Sequence, residues 1–164
     1  MLRLPHPEMA SLLDRIRQNV IMSRQSEVLG TELTYAIFNP KSETPDLAFY
    51  DEEGRIYVPE YLVAFDERYA DLLALHEHIE IRHKLAGRSH AYAHRHALVE
   101  ELLAARQIFD ETVVWKDYVQ WRIRLYPTWK VPDPDQIIDQ FVRLIAEDKP
   151  RKGKLLQVIK EHRL

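Results

Sequence analysis

The chain has 164 residues, about one domain's worth, and its 46% hydrophobic and 30% charged content is ordinary globular composition, which excludes disordered and fibrous classes. With 23 basic against 26 acidic residues the net charge is −3, so no global attraction to nucleic acid or to an anionic membrane is expected. Cysteine is absent, which removes disulfides, thiol nucleophiles, iron–sulfur ligation and every Cys-based zinc site, and leaves His, Asp and Glu to hold any metal.

No run approaches the roughly 18 to 20 apolar residues of a membrane span, and the first fifteen residues carry acid and proline where a signal peptide would be apolar. A cytoplasmic, non-membrane protein is expected. From about Glu8 to Leu29, Met9, Leu12, Leu13, Ile16, Val20, Ile21 and Val28 recur at three-to-four spacing between Pro7 and Gly30, which predicts one amphipathic helix. Leu33 to Phe38 is β-rich and stops at Asn39-Pro40. Residues 47 to 58 have the strand–turn–strand form of a hairpin around Asp51-Glu52-Glu53-Gly54. A small three-stranded sheet follows from these segments.

A long helix is predicted over about 66 to 86, ending at Gly87, and a second from a Ser89 cap to about Glu111. An aromatic segment comes next (Trp115, Tyr118, Trp121), then a proline-rich loop, then helices over about 134 to 148 and 152 to 163. Lys149 to Leu164 holds six basic residues against one acid, read as the solvated face of that last helix. The four glycines are too dispersed for a phosphate-binding loop, and no G-x-S-x-G elbow occurs. The fold class is therefore α+β: an N-terminal helix, a small sheet with a hairpin, a long two-helix hairpin and further C-terminal helices, in one domain spanning residues 1–164.

Six of the eight histidines (His76, His78, His83, His90, His94, His96) fall within 21 residues across the helix–Gly87–helix junction. At about 100° per residue, His76, Glu80 and His83 share one stripe, while His78 points to the other side. His76 and His83 are about 10 Å apart along a straight helix, too far to bind one ion together. Two pairings remain, His76 with Glu80 or Glu80 with His83. The first has Glu77 turned about 100° from His76, where a carboxylate can take a proton from metal-bound water. If Gly87-Arg88 is the bend of an antiparallel hairpin, His94 and Glu101 lie opposite this stripe, with His90 nearer the bend and His96 turned to solvent.

The stretch His76-Glu77-His78-Ile79-Glu80, with the hairpin before it and the lead-in Leu72-Leu73-Ala74-Leu75, resembles the active-site helix of zincin-like metalloproteases, in their short members with a small sheet ahead of it. The resemblance covers roughly residues 30 to 105. It implies that His76 is the first ligand and Glu77 the general base, with Glu80 standing where the family has a second histidine. Zinc accepts a carboxylate at nearly the same bond length.

The expected function is a zinc-dependent hydrolase, with His76, Glu80 and His94 as ligands and Glu101 or His83 as alternatives. An amide bond in a peptide or small molecule is the substrate that the resemblance implies. Two other readings stand beside it. Glu80-x-x-His83 is the repeating unit of two-metal carboxylate helical sites, which need a second such unit. A metal-stabilised interaction protein without catalysis is the other, with the aromatic segment or basic tail facing a partner. Three tryptophans between residues 115 and 129 would also suit a homodimer. Tyr57, Tyr61 and Tyr69 are read as core, though a hydroxyl among them could stabilise an oxyanion. Arg82, Arg88 and Arg95 either attract an anionic substrate or pair with Glu100 and Glu111.

Overall fold

The structure, a computed structural model, describes residues 6–41 and 47–164, with side chains from residue 10 onward, so Pro7 and Met9 contribute no side-chain description. It has the α+β class and resolves into two compact units, residues 1–81 and 82–164, with seven helices and four strands among the described residues. No helix among those residues is long and apolar enough to cross a membrane.

In the first unit, α1 (His6–Gln18) is followed by β1 (Val20–Val28) and β2 (Thr31–Phe38). The single helix predicted to Leu29 therefore ends eleven residues early, and its second half is a strand. Two local features account for this. Val20, Ile21 and Val28 are β-branched and favour extended backbone, while Ser23 and Ser26 are weak helix formers. Leu29 and Gly30 both take positive φ (50° and 83°), the two-residue primed turn that returns a strand onto its neighbour. Val28 then faces Thr31 and the ladder runs to Val20 opposite Phe38. The helical spacing of the apolar residues is coincidental: Ile21, counted in the stripe, is exposed on this edge strand, as is its neighbour Met22.

The hairpin predicted over 47–58 is present as β3 (Phe49–Tyr50) and β4 (Ile56–Pro59). β4 also lies parallel to β2, giving a four-stranded mixed sheet in the order β1-β2-β4-β3, one strand more than expected. Leu12 and Ile16 of α1 pack on Ala36, Phe38 and Tyr57, with Val20 and Phe49 at the margin of that core.

The hairpin turn is pinned by Asp51, whose Oδ1 accepts from the backbone N–H groups of Glu53 and Arg55 (3.0 Å each). Its Oδ2 accepts from the Tyr57 hydroxyl (2.9 Å) and Arg17 Nη2 (3.2 Å). Burial alone would raise this carboxyl, but the Arg55 amide, the Tyr57 hydroxyl and Arg17 outweigh it and hold the pKa below the ordinary value. A group depressed in the folded state stabilises above its unfolded pKa and loses that contribution as pH falls. The stability gap between wild type and Asp51→Asn should thus be full above about pH 4 and close as pH drops below it, checked by urea titrations across that range.

After α2 (Glu60–Phe65), α3 (Glu67–Leu85) begins with every residue from Tyr69 to His76 buried. A helix stretch buried on all sides runs through the interior, and here that stretch includes Asp71 and His76. Asp71 is accommodated there by the Tyr35 hydroxyl, 2.6 Å from Oδ1, and by Arg24.

In the second unit, α3 ends in a Schellman motif. Arg88 N–H bonds to His83 C=O and Gly87 N–H to Lys84 C=O, with Gly87 at φ 78°. Ser89 Oγ then accepts from Tyr92 N–H and caps α4 (His90–Ile108), as its sequence position predicts. Helices α5 (Thr112–Arg124), α6 (Pro134–Ile145) and α7 (Lys152–Glu161) pack with α4. The α6 start combines an Asp133 cap with Pro134 in the first turn. On α7, Leu155, Val158 and Ile159 are buried, while Lys152 reaches Glu100, so the basic tail is the solvated side of a packed helix. Trp115 is buried and Trp129 is 84% exposed.

Candidate metal centre

The interior course of α3 puts His76 and Glu80 one turn apart in a nearly dry setting, their side chains only 3% and 4% exposed. His76 Nε2 lies 3.2 Å from Glu80 Oε2. Two donors bonded to one tetrahedral ion at about 2 Å stand about 3.3 Å apart, so this separation already suits a shared ion. Glu80 Oε1 is engaged separately, accepting from the Tyr50 hydroxyl of β3 at 3.3 Å. The Tyr50 phenol is held above its ordinary pKa by burial first, then by the charges of Glu80 and Glu77, which places both carboxylates within its electrostatic reach.

His94 is half-buried on the first half of α4, with Nε2 3.2 Å from the Tyr126 hydroxyl, just past the end of α5. His76, Glu80 and His94 each offer a ligand atom, and these atoms all lie within 4.8 Å of one another. Among the described residues no second group of three such side chains comes together. The chain matches no family model, no curated protein sequence and no solved structure. What the site can do must therefore be read from its own residues.

The other predicted ligands are not in this group. Glu101 is fully buried, and its Oε1 accepts from the Tyr118 hydroxyl at 2.5 Å and Arg122 Nε at 2.8 Å, a buried ion pair inside the second unit. Burial opposes the charge on Arg122, yet Glu101 and the phenols of Tyr126 and Tyr118 hold its pKa above the ordinary value. His83 joins a ring cluster with Tyr92 and His96, at centroid distances of 5.4 Å to each. His96, expected in solvent, is half-buried and stacked on Tyr92 at 4.1 Å, because an aromatic one turn earlier on α4 covers it. Burial, and then the proximity of His83, lowers its pKa.

Of the tyrosines considered from sequence, Tyr57 serves Asp51 and Tyr69 packs edge-on against Phe65. Arg88 lies over the Tyr92 ring. Tyr50 and Tyr126, which reach Glu80 and His94, carry no sequence signal for that role. They stand 30 and 32 residues from Glu80 and His94, and only the strand pairing and helix packing bring them in.

Proposed function

We propose that the chain is a metal-dependent hydrolase in which His76, Glu80 and His94 hold one divalent ion and Glu77 is the general base. The observation that carries this reading is the approach of two imidazoles and one carboxylate, two of them almost solvent-free, with ligand atoms all within 4.8 Å of one another. Two histidines with one carboxylate is the donor set of zinc peptidases, and it leaves one tetrahedral position open, so zinc is the ion proposed. Zinc bound there would act as a Lewis acid and bring the pKa of a water it holds down to about 7.

Glu77 leaves the helix about 100° round from His76 and is half-buried, and its charge is among the causes that hold the Tyr50 phenol above its ordinary pKa. From that position its carboxylate accepts a proton from the attacking water and returns it to the leaving nitrogen of an amide substrate, in a peptide or a small molecule. The choice of an amide rests on the resemblance of His76-Glu77-x-x-Glu80 to the zincin active-site helix.

Glu77 is not in the ligand set, so Glu77→Gln should keep the zinc and the fold. Hydrolysis of a fluorogenic peptide library should fall by about 10²- to 10⁴-fold, the usual contribution of a general base. Metal content, circular dichroism and turnover measured on one preparation decide the matter. Zinc-loaded protein that turns over no amide substrate, and that unfolds when the ion is chelated, would leave a metal-stabilised interaction protein in place of an enzyme.

A further inference from the structure

The two oxygens of Glu80 have different surroundings. Oε2 faces His76 Nε2 at 3.2 Å, while Oε1 accepts the Tyr50 hydroxyl at 3.3 Å. A carboxylate free to rotate can chelate an ion through both oxygens, which would fill the coordination position that a hydrolytic water requires. One held at its second oxygen by a fixed donor binds through the first alone. The donor here is fixed by structure: Tyr50 sits in β3, paired with Ile56 of β4, beside the turn that Asp51 clamps through two backbone amides. Its neighbour Phe49 stacks on Tyr57 with ring centroids 5.1 Å apart. The hairpin therefore holds the phenol in place independently of the ion.

Resting on the metal-centre reading above, we infer that Tyr50 is the positioning residue of the site: its hydroxyl keeps Glu80 monodentate through Oε2 and so keeps the water position beside Glu77 open. Partners that orient a metal ligand typically contribute 10- to 100-fold to metal affinity. Removing one hydroxyl from a half-buried ring leaves the packing of the hairpin intact.

The test is Tyr50→Phe in the full chain, read by competition of zinc against a chromophoric chelator and by X-ray absorption at the zinc edge. Zinc affinity should fall about 10- to 100-fold with an unchanged circular dichroism spectrum, and the absorption fine structure should gain a second carboxylate oxygen. In a Glu80→Ala background the same substitution should have no further effect on residual affinity, because Tyr50 acts only through Glu80. A wild-type protein that takes up no zinc overturns the metal centre itself. A wild type that binds about one zinc, with a Tyr50→Phe variant equal to it in affinity and carboxylate mode, overturns the role of Tyr50 alone. Loss of affinity that persists in the Glu80→Ala background would also overturn it, since the hydroxyl would then act by another route.

Discussion

His76→Ala should abolish stoichiometric zinc binding, taking the protein from about one ion per chain to a trace after dialysis. The reason is one of dimension. Only two donors are supplied by α3, and at one turn's spacing their atoms already stand 3.2 Å apart, the edge of a single coordination shell. Removing one leaves Glu80 and His94. Loss of a residue that merely orients a ligand costs 10- to 100-fold, so loss of a ligand should cost more than about 100-fold in affinity. His94→Ala should behave in the same way, and His83→Ala should not, because His83 belongs to the ring cluster with Tyr92 and His96. Plasma mass spectrometry on untagged protein reads all three variants together. Full occupancy in His76→Ala would refute the ligand set, and loss in His83→Ala would move the site toward the Glu80–His83 pairing.

Arg122→Ala should be among the most destabilising single changes in the second unit, by about 3–5 kcal/mol. Its Nε is 2.8 Å from an oxygen of Glu101, which has no solvent exposure, and breaking such a pair leaves a buried carboxylate facing an alanine. Urea denaturation should show a lower midpoint at a similar slope. Replacing both members with apolar residues, Glu101→Leu with Arg122→Met, should cost far less than the single change, since no charge then has to be kept out of water. An Arg122→Ala variant within about 1 kcal/mol of wild type would mean that solvent reaches Glu101 once the arginine is gone. The result also bears on the metal centre. A ligand is expected to be deprotonated and available to an ion, whereas Oε1 of Glu101 is already bonded to Tyr118 and Arg122.

Much of the organisation is legible in the sequence. Helix ends written in local chemistry are found where expected: Gly87 closing α3 and Ser89 opening α4. So was the hairpin around Asp51 to Gly54, whose turn is specified by residues adjacent in sequence. The pairing of His76 with Glu80 also belongs to this group, because four residues on a helix make one turn whatever surrounds it. Each of these depends on neighbours within about five positions, a range over which the chain dictates its own geometry.

What failed or stayed open had another cause. Residues 20 to 28 satisfy helical spacing as well as strand composition, and only hydrogen bonding to β2 decides between them. The addition of β4 beside β2 joins segments about twenty residues apart, with no signal in either. At the centre, the sequence puts His94 forward as the third donor, with Glu101 and His83 as alternatives. Their surroundings differ: Glu101 is engaged by Arg122 and Tyr118, His83 lies among aromatic rings, and His94 has a ligand atom within 4.8 Å of those of His76 and Glu80. Tyr50 reaches Glu80 for a similar reason, through the placement of a strand and not through any motif. The sequence by itself determined which residues could be donors and which two would stand one turn apart. That Tyr50 of β3 reaches one of them was decided only by the tertiary structure, because contacts between distant segments depend on the burial of whole helix and strand faces, a property of the assembled chain that no short stretch encodes.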